Sequence, residues 1–288
     1  HAAAAFYPSP FEDAAVMTID GVGEWATSTI AHGQQHRIDQ LVEQRFPHSI
    51  GLLYSLITHW CGFEPNDGEY KLMGLAPFGE ARYLDEIRSI FPVAEDGSYR
   101  ADLSAVRWWS GDPARMRRLV ELFGPPRRGG DPITDRDTDL ARSVQVHVEE
   151  ALLSMAHRAH ELTGESRLCL GGGVALNCVA NGRLLREGPF DEIWVQPSPG
   201  DAGSAVGAAL WYWHQECNEP RKRSAATSPV IDGMSGAALG PRFDSDEVAG
   251  WLASIGVTEC VFRLPSAPTA EVLTVLDEQA ELLGELRG

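Results

Sequence analysis

The chain has 288 residues, 43% of them hydrophobic, and 24 Lys and Arg against 41 Asp and Glu give it a formal net charge of −17. That length and apolar content suffice for a sizeable core, while no apolar run approaches the roughly 20 residues of a membrane span. The acidic balance lacks the basic face that a phosphate backbone demands, so nucleic acid is excluded as the expected partner, and acidity serves solubility or a cationic small molecule. Cys61, Cys169, Cys178, Cys217 and Cys260 are scattered and form no C-x-x-C pair, which points to a reducing, cytoplasmic setting and away from a thiolate metal site.

In chain order, residues 14–19 read as a buried strand. Asp20-Gly21-Val22-Gly23-Glu24 is a hairpin signal leading into a second strand from Trp25 to Ile30. Such an Asp-Gly tip is either a tight turn and nothing more, or a carboxylate placed to hold a metal beside a phosphate. His48 to Trp60 reads as an apolar helix, Glu69 to Gly79 as a loop-like motif, and residues 80–137 as short helices around a Pro/Gly/Arg-rich insertion, Gly124 to Pro132. Arg127 and Arg128 in that insertion are expected in solvent.

From Asp139 to Thr163, Leu140, Val144, Val148, Leu152, Met155, Ala159 and Leu162 recur every three to four residues, the pattern of one long amphipathic helix ended by Gly164. Its His147, His157 and His160 form no His-Glu-x-x-His pattern and read as solvent-facing or packing residues. Trp108, Trp109, Trp211 and Trp213 read as core or lobe-packing aromatics.

Two strand–turn–helix units follow, at 167–187 and 192–215. In Leu170-Gly171-Gly172-Gly173-Val174-Ala175-Leu176-Asn177-Cys178 a strand runs into three glycines and then into a helix expected near Ala175. With no Cβ in the way, a backbone of this kind can approach a nucleotide and offer it helix N–H groups; a ligand-free tight turn needs the same residues. Asp201, after the strand from Ile193 to Gln196, is placed either as a helix N-cap worth about 1 kcal/mol or as a carboxylate facing the crevice where α/β proteins bind ligands. Residues 216–243 are a linker by composition, and residues 244–288 hold two amphipathic helices around a strand from Val257 to Leu264. The whole reads as an α/β sheet with helical cover.

Five segments together carry a resemblance: His1-Ala2-Ala3-Ala4-Ala5-Phe6-Tyr7-Pro8-Ser9-Pro10-Phe11, Thr18 to Glu24, Glu69-Tyr70-Lys71-Leu72-Met73-Gly74-Leu75-Ala76-Pro77-Phe78-Gly79, Leu170 to Gly182, and Pro197 to Gly207. In order and content they resemble the carbamoyltransferases of antibiotic and nodulation-factor biosynthesis. The central part of that family is similar to the tRNA threonylcarbamoyl-transfer protein, a member of the actin/hexokinase/Hsp70-like, RNase H-like ATPase fold. The resemblance implies a core lobe at 1–215 with most of a first lobe missing, the linker at 216–243, and at 244–288 the start of a region leading to an absent YrdC-like domain. It also places His1 in a motif that normally reads His-x-x-x-His, so the chain looks truncated at both ends.

The activity so implied is ATP-dependent transfer of a carbamoyl group from carbamoyl phosphate, through carbamoyl adenylate, to a hydroxyl of an aminoglycoside, another sugar or a polyketide. By resemblance His1, Asp20 and Asp201 hold a divalent metal, Fe or else Mn or Zn, since a mixed imidazole and carboxylate set suits all three, with Mg accompanying ATP. His1 and Asp20 are also the expected catalytic residues. Gly171, Gly172, Gly173 and Asn177 are expected to hold ribose and adenine, and Gly21 and Gly23 to let N–H groups approach the phosphate. Glu69 and Lys71 are expected either to contact substrate or phosphate or to form a surface ion pair. Two alternatives remain open: a non-catalytic nucleotide-binding or assembly module, and a sugar phosphotransferase of the same ATPase fold using Asp20 as base.

Overall fold

The computed structural model describes residues 1–106, 113–221, 232–234, 237, 240–241 and 243–256. Chain contacts divide it into two units, His1–Ala237 and Ala238–Gly288.

The first unit is built on a five-stranded sheet in the order β3-β2-β1-β4-β5. The strands are β1 Asp13–Ile19, β2 Ala26–Gln34, β3 Arg37–Arg45, β4 Arg167–Gly171 and β5 Glu192–Val195. β1 pairs antiparallel with β2 and parallel with β4, β2 antiparallel with β3, and β4 parallel with β5. β1 is therefore central, which is why it is apolar almost throughout: Ala15, Met17 and Ile19 enter one core cluster, while Ala14 and Val16 enter another, as the two-residue period of a strand requires.

Into the larger cluster pack α2 (Ile50–Trp60), α7 (Asp135–Thr163) and α8 (Cys178–Glu187); α1 (Ala2–Phe6) packs into the smaller one and also contacts α9 (Asp201–Trp211). α7 starts where the Asp137 carboxylate accepts the Thr134 N–H at 2.8 Å and ends at Gly164 with φ +69°. Its expected apolar stripe is buried apart from Leu162, which is exposed. His147 is buried on that stripe.

Several expectations are corrected. β3 was not foreseen, because it is an edge strand whose polar, mostly exposed residues hide the strand period. Trp25 lies outside β2 and is exposed. Glu69 to Gly79 is not a loop but a helix, α3 (Glu69–Leu75), followed by a 3₁₀ turn at Ala76–Phe78. The short helices expected over residues 80–137 are present as α4 (Leu84–Ile90), α5 (Leu103–Val106) and α6 (Pro113–Phe123). In the Gly124 to Pro132 loop residues 128–132 are exposed as expected, but Arg127 is docked: it donates from its backbone N–H to Trp60 O at 2.9 Å and from Nε to Cys61 O at 2.7 Å. Trp211 and Trp213 are exposed, Trp213 by 51%, and so are not core aromatics.

In the second unit, α10 (Ser245–Ser254) is closed by reciprocal bonds between Asp244 and Glu247. The strand expected from Val257 to Leu264, the helix after it, most of the 216–243 linker, Trp108 and Trp109 lie outside the described residues.

Two consequences are measurable. Gly172 has φ +88°, and a Cβ there would sit 2.2 Å from the Ile19 carbonyl oxygen, so Gly172→Ala is expected to lower stability by about 1–3 kcal/mol, read as a shifted urea midpoint. Burial holds the His147 imidazole below its usual value of 6.5, against the opposing pull of the Phe91 carbonyl and Glu150. The unfolded chain therefore takes up that proton first as pH falls; stability is full above about pH 6.5 and declines below it. His147→Gln is expected to flatten that acid limb in melting temperatures recorded on either side of pH 6.5.

Candidate functional site

The site forms where strand ends meet. Asp20 directly follows β1, the glycine turn follows β4, and Asp201 opens α9 after the β5 loop, all at the carboxyl edge of the parallel strands, where open α/β sheets bind ligands. His1 reaches the same point from the start of α1. His1 Nε2 lies 2.6 Å from Asp20 Oδ2 and 3.7 Å from Asp201 Oδ1. One ligand atom from each of the three residues lies within 4.8 Å of the other two. They are unequally sheltered: the His1 and Asp20 side chains are largely covered, whereas that of Asp201 is 97% exposed.

Asp20 is held in place from both sides. Its Oδ1 accepts the Gly21 N–H at 2.9 Å and the Gly173 N–H at 3.3 Å. The Asp20–Gly21 loop is clamped by Ser49, whose hydroxyl lies 3.0 Å from Asp20 O and donates to Gly21 O at 2.6 Å while accepting the Leu52 N–H as the N-cap of α2. α2 sits so close that a Cβ on Gly51 would lie 2.7 Å from Asp20 O and Gly21 Cα. Burial alone would raise the Asp20 carboxyl pKa, but the His1 hydrogen bond, the Gly21 and Gly173 N–H groups and the charge of His1 together bring it below the ordinary value. The hydrogen bond to Asp20 raises the His1 imidazole, burial opposes it, and the charges of Asp20 and Asp201 reinforce it. Each partner thus favours the charged form of the other.

Around this point lies a cleft of about 630 Å³. Gly21, Gly173 and Asn177 line it together with Asp20 and Asp201, as do Tyr54, Glu69, Tyr70 and Leu176. Asp20, Asp67, Glu69 and Asp201 all face it, and among the described residues no Lys or Arg does.

The other expected site residues are placed differently. Lys71 turns to Asp67, 3.6 Å away, as an exposed i,i+4 pair and does not line the cleft. Glu69 does, with Oε1 accepting Ser55 Oγ–H at 2.7 Å and the Asn66 N–H at 2.9 Å. Gly171 and Gly172 pack against His1 and Ile19 rather than leaving open space. Gly23 closes its own turn through Ala26 O. No helix begins at Ala175: a 3₁₀ turn at Gly173–Leu176 comes first, and Asn177 is the N-cap of α8. The Asn177 carboxamide points inward, both lone pairs of Oδ1 taken by Ala180 N–H and Gln145 Nε2, so it is not free to accept a ribose hydroxyl. Asp201 is the first residue of α9 and Gly200 its cap, with no side-chain capping bond. Sequence reasoning missed Ser49, Tyr54 and Gln145; Ser49 before an apolar helix was an N-cap signal open to recognition.

With that geometry in place, the comparisons define the class of protein. Residues 1–210 match the family described as "Carbamoyltransferase N-terminus", and the chain belongs to the carbamoyltransferase family. It is 48% identical over 254 residues to the uncharacterized protein sll1178 of Synechocystis sp., covering 88% of this chain and 40% of that protein. It is 34% identical over 267 residues to nodulation protein NolNO of Sinorhizobium fredii, covering 90% and 36%. It is 39% identical over 211 residues to nodulation protein NolO of Bradyrhizobium diazoefficiens, covering 73% and 36%. The chain spans well under half the length of these relatives. The crystal structure of T. kodakarensis HypF aligns over 76% of this chain and 36% of that one at 14% identity and a TM-score of 0.36, too low to carry a structural argument. No helix among the described residues is long and apolar enough to cross a membrane.

Ser49→Ala removes the α2 cap and both clamps on the Asp20–Gly21 loop. The expected cost is about 1–2 kcal/mol, seen as a lower urea midpoint, and amide exchange at residues 20–23 should speed up with it.

Proposed function

We propose that this chain is the metal- and nucleotide-binding core of an ATP-dependent O-carbamoyltransferase, which moves a carbamoyl group from carbamoyl phosphate, through carbamoyl adenylate, to the hydroxyl of a small-molecule acceptor such as an aminoglycoside, another sugar or a polyketide. The observation that carries this reading is the convergence of His1, Asp20 and Asp201 on one point, at the edge of a cleft that Asp20, Gly173 and Asp201 line. Family membership over residues 1–210 supports the group transferred. The strand order 3-2-1-4-5, an antiparallel meander continued by two parallel strands, supports a lobe of the actin/hexokinase/Hsp70-like ATPase fold.

The residues present fit a divalent ion. One imidazole and two carboxylates offer the mixed nitrogen and oxygen donors that suit Fe, Mn or Zn, and the three residues bring one such atom each within 4.8 Å of the others. His1, Asp20 and Asp201 would hold the ion, and when bound it supplies a Lewis acid for charge developing on the carbamoyl carbonyl oxygen. The electrostatics of the cleft argue the same way. Its four carboxylates and lack of a lining Lys or Arg among the described residues repel an anionic adenylate unless a cation compensates them.

The chain's own residues do the positioning. The Gly21 and Gly173 N–H groups fix the Asp20 carboxylate, and Tyr54, Tyr70 and Leu176 line the cleft beside it. In the transfer itself the acceptor oxygen bonds to the carbamoyl carbon and gives up its proton to solvent, while the bond from that carbon to the adenylate phosphate oxygen breaks and AMP leaves with the electron pair. Binding both reactants in one cleft converts this into a step within a single complex.

Calorimetric titration of the Fe(II)- or Mn(II)-loaded chain with a non-hydrolysable ATP analogue tests the reading. Binding should require the metal and weaken by about tenfold or more in Asp20→Ala and in Asp201→Ala. Nucleotide binding by the folded chain that is indifferent to metal and to both substitutions overturns it.

A further inference from the structure

Beneath the cleft one buried amide joins three helices. Gln145, on α7, has no exposed surface, and every hydrogen-bonding position of its carboxamide is filled. Oε1 accepts from the Tyr54 hydroxyl of α2 at 2.9 Å and from Asn177 Nδ2 at 2.9 Å. Nε2 donates to Glu149 Oε1 at 2.9 Å and to Asn177 Oδ1 at 3.1 Å. Gln145 and Asn177 thus form a reciprocal two-bond amide pair. Asn177 Oδ1 also accepts the Ala180 N–H at 3.0 Å and so caps α8, and the far oxygen of Glu149 accepts from Arg183 Nη1 on α8 at 3.1 Å. The two residues that Gln145 grips most directly, Tyr54 and Asn177, both line the cleft.

Packing does not explain an amide here. An apolar side chain of the same volume would fill the space without directional demands, whereas a fully satisfied polar network holds its members in one arrangement. The arrangement held is the distance between α2, which carries Tyr54, and the Gly173–Asn177 segment, whose first N–H reaches Asp20.

We propose that Gln145 is a positioning residue: its carboxamide sets Tyr54 and the Gly173–Asn177 wall relative to each other, and through them the affinity of the cleft for its nucleotide. The ligand class rests on the reading under Proposed function; the positioning itself rests on the hydrogen bonds.

Gln145→Glu is the discriminating variant, because it is isosteric and its acceptors still serve Tyr54 and Asn177 Nδ2. It lacks the N–H groups that Asn177 Oδ1 and Glu149 accept, unless a proton is shared with Glu149. The groups facing the new carboxylate are Glu149 from α7, Arg183 from α8 and Tyr54 from α2, with Glu69 of α3 acting on Tyr54 at longer range. Two adjacent carboxylates keep a shared proton at low pH and lose it as pH rises.

Affinity for a non-hydrolysable ATP analogue with Mn(II) is measured for Gln145→Glu and wild type near pH 6 and pH 8.5, alongside urea midpoints. The ratio of variant to wild-type Kd is expected near one at the lower pH and about tenfold or more at the higher. Asn177→Asp, which keeps the α8 cap but loses the donor to Gln145, is expected to weaken binding at both. A merely structural role moves the urea midpoint and leaves the Kd ratio of the folded protein the same at both pH values, and that result overturns the proposal. If the folded wild-type chain binds no nucleotide, the nucleotide reading fails by itself, and amide exchange of residues 173–181 decides the role of Gln145. Exchange in Gln145→Glu faster than wild type only at the higher pH supports positioning; exchange equal to wild type at both overturns it.

Discussion

The end of β1 and the turn after β4 touch backbone to backbone, and the rest of the site hangs on that contact. Gly172 abuts Ile19 so closely that no side chain fits between them, and its N–H donates to Pro199 O at 2.7 Å. Three loops from three adjacent strands are thereby fastened to one another. Asp20 follows Ile19 directly, Gly173 follows Gly172 and donates to the Asp20 carboxylate, and Asp201 comes two residues after Pro199. A carboxylate pair drawn from residues 181 positions apart, together with an imidazole from the start of the chain, is held by backbone geometry rather than by long side chains that would lose rotamer entropy.

The charge distribution follows from this frame. Asp20 is covered and surrounded by N–H groups, so it stays ionised although burial opposes it, while Asp201 stands in solvent. In the proposed metal site such an inner and outer carboxylate, with His1 between them, would let a cation enter from the solvent side and meet a preorganised inner ligand. The opposite wall is organised by different means. There Tyr54, Gln145, Asn177 and Glu149 form a buried polar network that ties α2, α7 and the cap of α8 together, so the cleft has one wall fixed by backbone and one by side-chain hydrogen bonds.

How much of this was legible depended on how local each cause is. β1, α7 and β4 were readable because burial imposes a period on the residues themselves, and a central strand or a long packed helix leaves little freedom in that pattern. β3 left no such mark, since an edge strand with one exposed face tolerates Arg37, Asp39 and Glu43. α3 reads as a loop in the sequence because Gly74 and Pro77 fall inside or just beyond it. His1, Asp20 and Asp201 were named from motif resemblance, not from their spacing, and it is the sheet order that brings them together.

The sequence alone determined the local conformations that only particular residues permit: the left-handed turn at Gly172, the cap at Gly164 and the apolar stripe of α7. It determined the family as well, because short motifs survive in order along the chain. Only the tertiary structure decided what each polar group faces. It turned Lys71 out to Asp67, turned Asn177 inward to Gln145, and used the glycines of the turn for contact with β1 and α1. The direction of a side chain depends on which distant element supplies its partner, and that pairing is a property of the packed sheet and helices rather than of neighbours in sequence.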